Sequence, residues 1–399
     1  MGTTANQDQA IKQLQSIMDQ MDESMKNTYQ IMHQGYPTET LERFLKARDG
    51  NVAKAHKMLV DCLQWRIQNK IDDILSQMKK NPLHVVKLEE LSTKLPCFTY
   101  MLMQDDAYIW NEMLNKNASP GLQRITVAQT ALFFEVDQLK PIIPINLYRA
   151  VRDSQLLGLS GYSKEGLPII TIGAGLSTFD KASVHYYVQS HIQINEYRDR
   201  VILPNATKKY GRHISTCLKV LDMTGLKLSA LNHLKLLTTM STIDDLNYPE
   251  KTEIYYIVNA PYIFSACWKV VKPLLQERTR KKIKVLQGCG RDELLKVMDY
   301  SSLPHFCRKE GSGSSKHIED GSNCFSSDHE FHQQLYSYIK QQAELHSISP
   351  IKQGSVHVDC PDTDPEDAKI AKTIESEFHR LGNLNGLSNS LNGLKVDGN

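Results

Sequence analysis

Between residues 140 and 306, short apolar runs alternate with longer segments of helical character, and this alternation limits the possible folds more than any other feature of the sequence. The runs are rich in β-branched and aromatic residues, which predicts strands. They lie at 168–172, 217–222, 254–258 and 283–286. The segments predicted as helices are 180–203, 226–246, 262–275 and 292–298. Strands that alternate with helices are typical of βαβ units, so we expect an α/β domain with a mostly parallel sheet.

The sequence before residue 77 has a helical pattern without strand-like alternation. Thr38 and Asn51 are predicted to cap two successive helices, because their side chains can accept hydrogen bonds from free backbone amides. Asp49 and Gly50 are predicted to end the first of these helices. We therefore expect an N-terminal helical unit, 1–76, made of three or four short helices.

Composition excludes several classes of protein. The 47 Lys and Arg residues nearly balance the 45 Asp and Glu residues, and a net charge of +2 gives no global electrostatic case for nucleic-acid binding. The eight cysteines include no CxxC pair, so we expect buried free thiols rather than a disulfide framework. The sequence has no run of about 18 apolar residues and no leader-like N-terminus. We expect a cytoplasmic protein that visits membranes without crossing them.

A strand, a very apolar segment and a cationic cluster follow one another between residues 247 and 282. The apolar segment, 262–275, is too apolar for an ordinary amphipathic helix. The cationic cluster consists of Arg278, Arg280, Lys281 and Lys282. Burying acyl carbons contributes about 0.8 kcal/mol per methylene, whereas a phosphate needs cationic donors. The combination is typical of a site for a phospholipid.

Several segments resemble the CRAL-TRIO lipid-binding family, and most closely its phosphatidylinositol transfer proteins of the secretory pathway. The matching segments are ETLERFLKARDGNVAKAHKMLVDCLQWR at 39–66, KVLDMTGLKLSAL at 219–231, DLNYPEKTEIYYIVNAPYIFSACWKVVKPLL at 245–275 and TRKKIKVL at 279–286. The resemblance implies a helical N-terminal unit packed on a CRAL-TRIO α/β lipid-binding domain. In that fold the sheet is the floor of a cavity and a mobile helix is its gate.

The resemblance also implies roles for individual residues. Those expected to contact a phosphoinositide headgroup are Arg48, Glu250, Thr279 and Lys282. Those expected to form the gate over the acyl chains are Ile263, Phe264, Trp268, Val271 and Leu275. Arg278, Arg280 and Lys281 are expected to attract an anionic membrane, at about 1 kcal/mol per basic residue near the surface. Lys and Thr can donate to a phosphodiester, while a carboxylate accepts hydrogen bonds from inositol hydroxyls.

The positions of a second ligand depart from the family. Members that also hold phosphatidylcholine use small hydroxyl residues and a tyrosine where this chain has Cys217, Lys219 and Ile170. These departures argue against a choline-lipid site. They leave open a second apolar lipid, such as a sterol, and Tyr162 could supply one phenol nearby.

The resemblance also divides the chain. In the family, position 76 runs almost directly into position 140, so 77–139 is an atypical insertion without a family motif. We interpret this insertion as a retained intron or gene-model artefact rather than as a functional module. The remaining predicted parts are the lipid-binding domain at 140–306, a linker and C-terminal helix at 307–346, and a largely disordered tail at 347–399.

Three patterns that could indicate enzymes or metal sites are incomplete. Gly288 and Gly290 follow a predicted strand, but Glu293 stands where a dinucleotide loop has its third glycine. The segment 158–161 lacks the features of a nucleophile elbow. The His and Cys residues of 305–332 fit no zinc-finger spacing. We therefore predict no catalytic residue, no metal site, no cofactor and no enzymatic activity.

The preferred interpretation is non-enzymatic phospholipid binding and transfer, in which phosphatidylinositol is exchanged between membranes through a gated apolar cavity. The bound phospholipid is cargo rather than a cofactor. We expect a monomer that binds no nucleic acid and touches the Golgi or other endomembranes peripherally. The alternative is a lipid-sensing adaptor that presents phosphatidylinositol or another lipid without bulk transfer.

Overall fold

The structure is a computed structural model that describes residues 2–74, 145–227, 232–272, 277–308, 323–345, 368–377 and 379–380. The predicted insertion at 77–139 lies outside the described residues, as does most of the predicted tail. The predicted domain boundaries therefore stay predictions.

Four helices form the N-terminal unit: α1 (Gly2–Met18), α2 (Glu23–His33), α3 (Pro37–Lys46) and α4 (Val52–Gln68). The predicted cap of α4 is confirmed, because Asn51 Oδ1 accepts a hydrogen bond from the backbone amide of Lys54 at 3.0 Å. The predicted cap Thr38 is wrong. The helix α3 begins one residue earlier, at Pro37, whose fixed φ and missing amide suit the first turn of a helix.

The five strands are β1 (Leu157–Tyr162), β2 (Pro168–Ile172), β3 (Cys217–Asp222), β4 (Thr252–Val258) and β5 (Ile283–Val285). They form one sheet in the order β1-β2-β3-β4-β5. β1 pairs antiparallel with β2, and the other neighbouring strands are parallel. The predicted mostly parallel sheet is therefore confirmed. The antiparallel edge strand β1 was not predicted.

The helices that follow the N-terminal unit are α5 (Ile145–Ser154), α6 (Val184–Tyr197), α7 (Leu203–Tyr210), α8 (Leu234–Asn247), α9 (Tyr262–Val271), α10 (Glu277–Lys282), α11 (Arg291–Val297), α12 (His305–Arg308) and α13 (Glu330–Leu345). A π-helical turn, Arg198–Ile202, joins α6 to α7. The helix predicted from residue 180 begins only at Val184, after Ser183 at its N-cap. Residues 368–377 are also helical.

The two faces of the sheet have different surroundings. Leu218 and Val220 of β3 share a buried apolar cluster with Leu294 of α11 and Cys307 of α12. Successive side chains of a strand point to opposite faces, so Lys219 lies on the other face. That second face meets α8, because the Nζ of Lys219 lies 3.4 Å from a carboxylate oxygen of Asp244. Nowhere in the described ranges is a helix both long and apolar enough to span a membrane.

Candidate functional site

A charged triad joins the helical unit to the sheet domain. Glu250 lies in the loop before β4, and its Oε2 accepts a hydrogen bond from Lys282 Nζ at 2.8 Å. The same oxygen lies 3.2 Å from the Nζ of Lys46, the last residue of α3. Lys282 ends α10 and also donates to the carbonyl of Thr252 at 3.0 Å. We call Lys46, Glu250 and Lys282 the triad.

The backbone of Glu250 is held in an unusual conformation. Its φ is 60°, in the left-handed region that non-glycine residues rarely adopt. Such a conformation costs about 1–3 kcal/mol and persists where the surroundings enforce it, often at functional sites. Here Arg43 of α3 donates from Nη1 to the carbonyl of Pro249, the preceding residue, at 3.5 Å. Contact with the helical unit therefore helps to fix the direction of the Glu250 carboxylate.

The two lysines keep Glu250 ionised. Burial alone would raise the pKa of this carboxyl group, but the hydrogen bond and charge of Lys282, with a smaller effect of Lys46, lower it below its usual value. The side chain is only 10% exposed. At neutral pH the site thus presents an anionic acceptor between two ammonium donors, which can serve both hydroxyl groups and a phosphate.

The basic residues of α10 differ in their contacts with other residues and in their exposure to solvent. Arg278 is half-buried, and its Nη1 donates to the carbonyl of Lys46 at 2.8 Å. Lys281 is exposed and pairs with Glu277 at 2.7 Å. Arg280 is half-buried. Of the three residues predicted to attract a membrane, Arg278 is thus engaged with the end of α3.

The other two predicted headgroup residues lie near the triad in sequence. Arg48 follows α3 and donates from Nη1 to the carbonyl of its neighbour Ala47 at 2.9 Å. Thr279 is half-buried on α10, three residues before Lys282 and thus on the same side of the helix. The structure brings Glu250 and Lys282 into direct contact. It gives Arg48 and Thr279 no hydrogen bond to either of them.

The predicted gate corresponds to α9. Its Phe264 and Trp268 are half-buried, and their rings stack with centroids 6.1 Å apart. Tyr262, at its start, is 82% exposed. The side chains of Ile263 and Val271, together with residue Leu275, lie outside the described part of the chain. These gate assignments stay predictions.

The positions aligned with a second lipid site lie together on the second face of the sheet. Ile170 of β2 pairs in register with Lys219 of β3. Both side chains are buried, as is that of Cys217. Tyr162 instead packs on Tyr210 of α7, with ring centroids 5.9 Å apart. A buried lysine therefore occupies the centre of this face.

The sheet and its helical unit match two family models. The model described as the CRAL/TRIO domain matches residues 152–307, and the one described as the CRAL/TRIO N-terminal domain matches residues 10–61. The chain belongs to the CRAL/TRIO family. Its triad joins the two matched regions, since Lys46 comes from the N-terminal domain and the other two residues from the CRAL/TRIO domain.

Several similar curated proteins are named as phosphatidylinositol/phosphatidylcholine transfer proteins. Phosphatidylinositol/phosphatidylcholine transfer protein SFH12 of Arabidopsis thaliana is 29% identical over 226 residues, which cover 55% of this chain and 38% of SFH12. SFH11 of the same plant is 24% identical over 296 residues, or 73% of this chain and 58% of SFH11. Sec14 cytosolic factor of Schizosaccharomyces pombe is 22% identical over 266 residues, or 66% and 72%. The chain spans less than two thirds of these plant relatives.

Sequence reasoning missed Lys46 of the CRAL/TRIO N-terminal domain. Its contact with Glu250 depends on how α3 docks beside β4, which no local pattern reveals. The sequence signal that could have indicated Lys46 is the basic segment around Arg48, because Lys46 lies two positions before that arginine.

A second missed residue is Lys251, directly after Glu250. Its side chain is 11% exposed, and its Nζ lies 3.4 Å from Asp199 Oδ1. Burial lowers the pKa of this ammonium group to about 8, although the charge of Asp199 opposes the effect. Lys251 adds positive charge directly next to Glu250 in the sequence.

Proposed function

We propose that this CRAL/TRIO protein binds phosphatidylinositol and exchanges it between membranes. The observation that carries the proposal is the triad, in which one oriented carboxylate lies between two lysines at 2.8 and 3.2 Å. A phosphatidylinositol headgroup combines a phosphodiester with hydroxyl groups. It therefore needs cationic donors and an acceptor side by side.

Each member of the triad has a task that its chemistry permits. The ammonium groups of Lys46 and Lys282 donate to the phosphodiester, where charge-assisted hydrogen bonds are about twice as strong as neutral ones. Glu250 accepts hydrogen bonds from inositol hydroxyls, because its pKa stays low and its two oxygens are acceptors only. Thr279 adds a hydroxyl donor, and Arg48 adds a guanidinium at the end of α3.

The acyl chains lie under α9. Phe264 and Trp268 supply aromatic surface on this helix. Removing acyl carbons from water contributes about 0.8 kcal/mol per methylene, so a closed cover holds the lipid while the protein crosses the aqueous phase. Displacement of α9 at a bilayer releases one lipid and admits another. The proposed place of action is a cytoplasmic membrane surface, including that of the Golgi, which the protein visits peripherally.

A transfer assay tests the headgroup assignment. Donor vesicles carry labelled phosphatidylinositol, and the label reaching acceptor vesicles is measured for wild type, Lys282→Met and Lys284→Met. Lys284 is the matched control, because it is an exposed lysine on β5, two residues after Lys282, that lies over the Tyr256 ring instead of pairing with Glu250. We expect at least a tenfold loss of transfer for Lys282→Met, since a hydrogen bond to a charged group is worth about 1.5–3 kcal/mol. The control should transfer within twofold of wild type.

Equal transfer by Lys282→Met and wild type would contradict the assignment. The same assay separates exchange from the adaptor alternative. A wild-type protein that retains phosphatidylinositol through gel filtration but delivers none to acceptor vesicles would support a lipid-sensing adaptor.

A further inference from the structure

The centre of the second sheet face carries a buried lysine whose charge is not needed by the headgroup site. Lys219 is 9% exposed and lies mid-strand, paired in register with Ile170 on one side and Tyr255 on the other. Its Nζ lies 5.5 Å from the centre of the Tyr255 ring. Placing an ammonium group on the inner face of a sheet is costly unless an anion compensates it.

Asp244 compensates Lys219 only in part. One of its oxygens lies 3.4 Å from Lys219 Nζ, which is longer than a good charge-assisted hydrogen bond. Its other oxygen is already shared between Asn195 Nδ2 and His191 Nε2, both at 2.7 Å. An ammonium group has three donors. Within the described chain, Asp244 is the one hydrogen-bond acceptor of Lys219, so two of those donors face no acceptor.

A second buried cation lies beside this pair. Arg198 is 1% exposed, and its Nη1 donates to Asn195 Oδ1 at 2.7 Å. Its Nε donates to Asp199 Oδ1, also at 2.7 Å. The remaining Nη2 is buried and has no hydrogen-bond partner in the part of the chain that the structure describes. Asn195 therefore links Arg198 to Asp244 and, through it, to Lys219.

The charges of this buried cluster do not balance. The described carboxylates that form ion pairs with the cations Lys219, Arg198 and Lys251 are those of Asp244 and Asp199. Within the described ranges the cluster thus holds one more positive than negative charge. His191 adds no negative charge in either protonation state. The neighbouring Arg43 brings its own carboxylate, Glu39, at 3.8 Å.

We infer that Lys219, supported by Arg198, receives the anionic oxygen group of a second cargo lipid, a phosphate monoester or a carboxylate. This inference rests on the proposed function, because the lipid reaches the face through the opening that α9 controls. The second cargo is therefore an acidic lipid rather than the sterol or other apolar lipid that the sequence left open. A choline lipid suits the cluster less, because its quaternary ammonium would add another positive charge.

The test measures which lipids the full chain retains. Phosphatidylcholine vesicles carry labelled phosphatidic acid, oleic acid or phosphatidylinositol, and the lipid bound after gel filtration is identified by native mass spectrometry. We expect wild type to load acidic lipid in preference to phosphatidylcholine. Lys219→Met should load at least tenfold less phosphatidic acid and oleic acid, which are the acidic lipids meant here, while its phosphatidylinositol loading stays within twofold of wild type and so verifies folding.

Two further variants sharpen the result. Lys284→Met is the matched control, because Lys284 also lies over a tyrosine ring, at 5.6 Å from Tyr256, but is exposed on β5. It should load every lipid as wild type does. Lys219→Arg keeps the charge and should retain most of the acidic-lipid loading, which also covers the case that Lys219→Met does not fold.

Three results would overturn the inference. One is equal loading of acidic lipid by wild type and Lys219→Met, and another is wild-type loading of phosphatidylcholine in preference to acidic lipid. The third is that the site binds a free ion and no lipid. In that case millimolar inorganic phosphate would raise the melting temperature of wild type but not of Lys219→Met, and wild type would load neither phosphatidic acid nor oleic acid. Wild-type loading of acidic lipid without phosphatidylinositol would instead refute the proposed function and leave this inference standing.

Discussion

At the scale of single residues, Glu250 combines an unfavourable backbone with a favourable side chain. Its φ of 60° is costly, whereas its carboxylate engages two lysines. The sequence predicted Glu250 as a headgroup residue from its position directly after Tyr248 and Pro249. The positive φ and the partner Lys46 follow from tertiary contacts, so only the structure reveals them.

Replacing Glu250 tests its effect on protein stability separately from its effect on lipid binding. Glu250→Gly relieves the left-handed conformation and removes the acceptor between Lys46 and Lys282. We expect the free energy of unfolding to change by less than about 1–2 kcal/mol, because the two effects oppose each other. Phosphatidylinositol transfer should fall at least tenfold. Urea denaturation and the vesicle assay measure the two quantities, and a large loss of stability with normal transfer would contradict the functional role.

At the scale of elements, a buried ionic network ties α4 to α6. Glu196 of α6 accepts hydrogen bonds from Arg66 of α4 at 2.8 Å and from the hydroxyl of Tyr248 at 2.7 Å. Arg200 lies 2.7 Å from the second oxygen of Glu196, and Asp72 accepts from Arg66 at 2.6 Å. Two cations and two carboxylates balance, in contrast to the cluster around Lys219. This network holds the helical unit against the CRAL/TRIO domain.

Removing the shared carboxylate should be costly. Glu196→Gln leaves Arg66 and Arg200 with less compensating charge, and breaking a buried ion pair costs about 3–5 kcal/mol. Burial would raise the pKa of Glu196, but Arg66 and Arg200 lower it to about 2. Its contribution to stability is therefore present above the unfolded value of 4.5 and is lost as pH falls toward 2. Urea denaturation from pH 6 to pH 3 should show a weaker acid dependence in Glu196→Gln. An unchanged slope would contradict the assignment.

The segment around α13 should respond to acid at a milder pH. His332 is 1% exposed, and burial together with the charge of Arg152 on α5 lowers its pKa to about 3. A histidine kept neutral in the folded state contributes stability that is full above pH 6.5 and is lost as pH falls toward 3. Between pH 6.5 and 5 the loss amounts to about 1.6 kcal/mol. The variant His332→Leu should lose less stability over this range in urea denaturation. An equal loss in both proteins would show that other groups cause it.

Some strands could be predicted from the sequence and others could not. β4 was predicted because Ile254–Val258 is a run of β-branched and aromatic residues. β1 was missed because its glycines have low strand propensity. One of them, Gly158, is required by packing, since a side chain there would clash with the carbonyl oxygen of Cys324. Such a contact comes from a segment far away in the sequence, which no local pattern can indicate.

At the scale of the whole molecule, positive and negative charges nearly balance. Electrostatic attraction to a membrane must therefore come from local groups of basic residues. A net charge of +2 produces little long-range attraction, so we expect binding to anionic vesicles to depend on the local basic residues Arg280 and Lys281 of α10. The double substitution Arg280→Gln with Lys281→Gln should weaken this binding roughly tenfold to thirtyfold, at about 1 kcal/mol per residue. Flotation with phosphatidylserine vesicles measures the effect, and neutral vesicles are the control. An equal loss on both kinds of vesicle would contradict an electrostatic role.

The triad has a consequence for how the chain matures. Arg43 and the carbonyl of Pro249, which orient Glu250, are 206 positions apart, and Lys282 comes another 32 positions after Glu250. During synthesis the proposed headgroup site cannot exist until residue 282 has left the ribosome and α3 has docked beside β4. Under the proposed function, capture of a headgroup by the triad reports that both parts of the chain have folded and joined, and a lipid held there stabilises the completed state over its precursors.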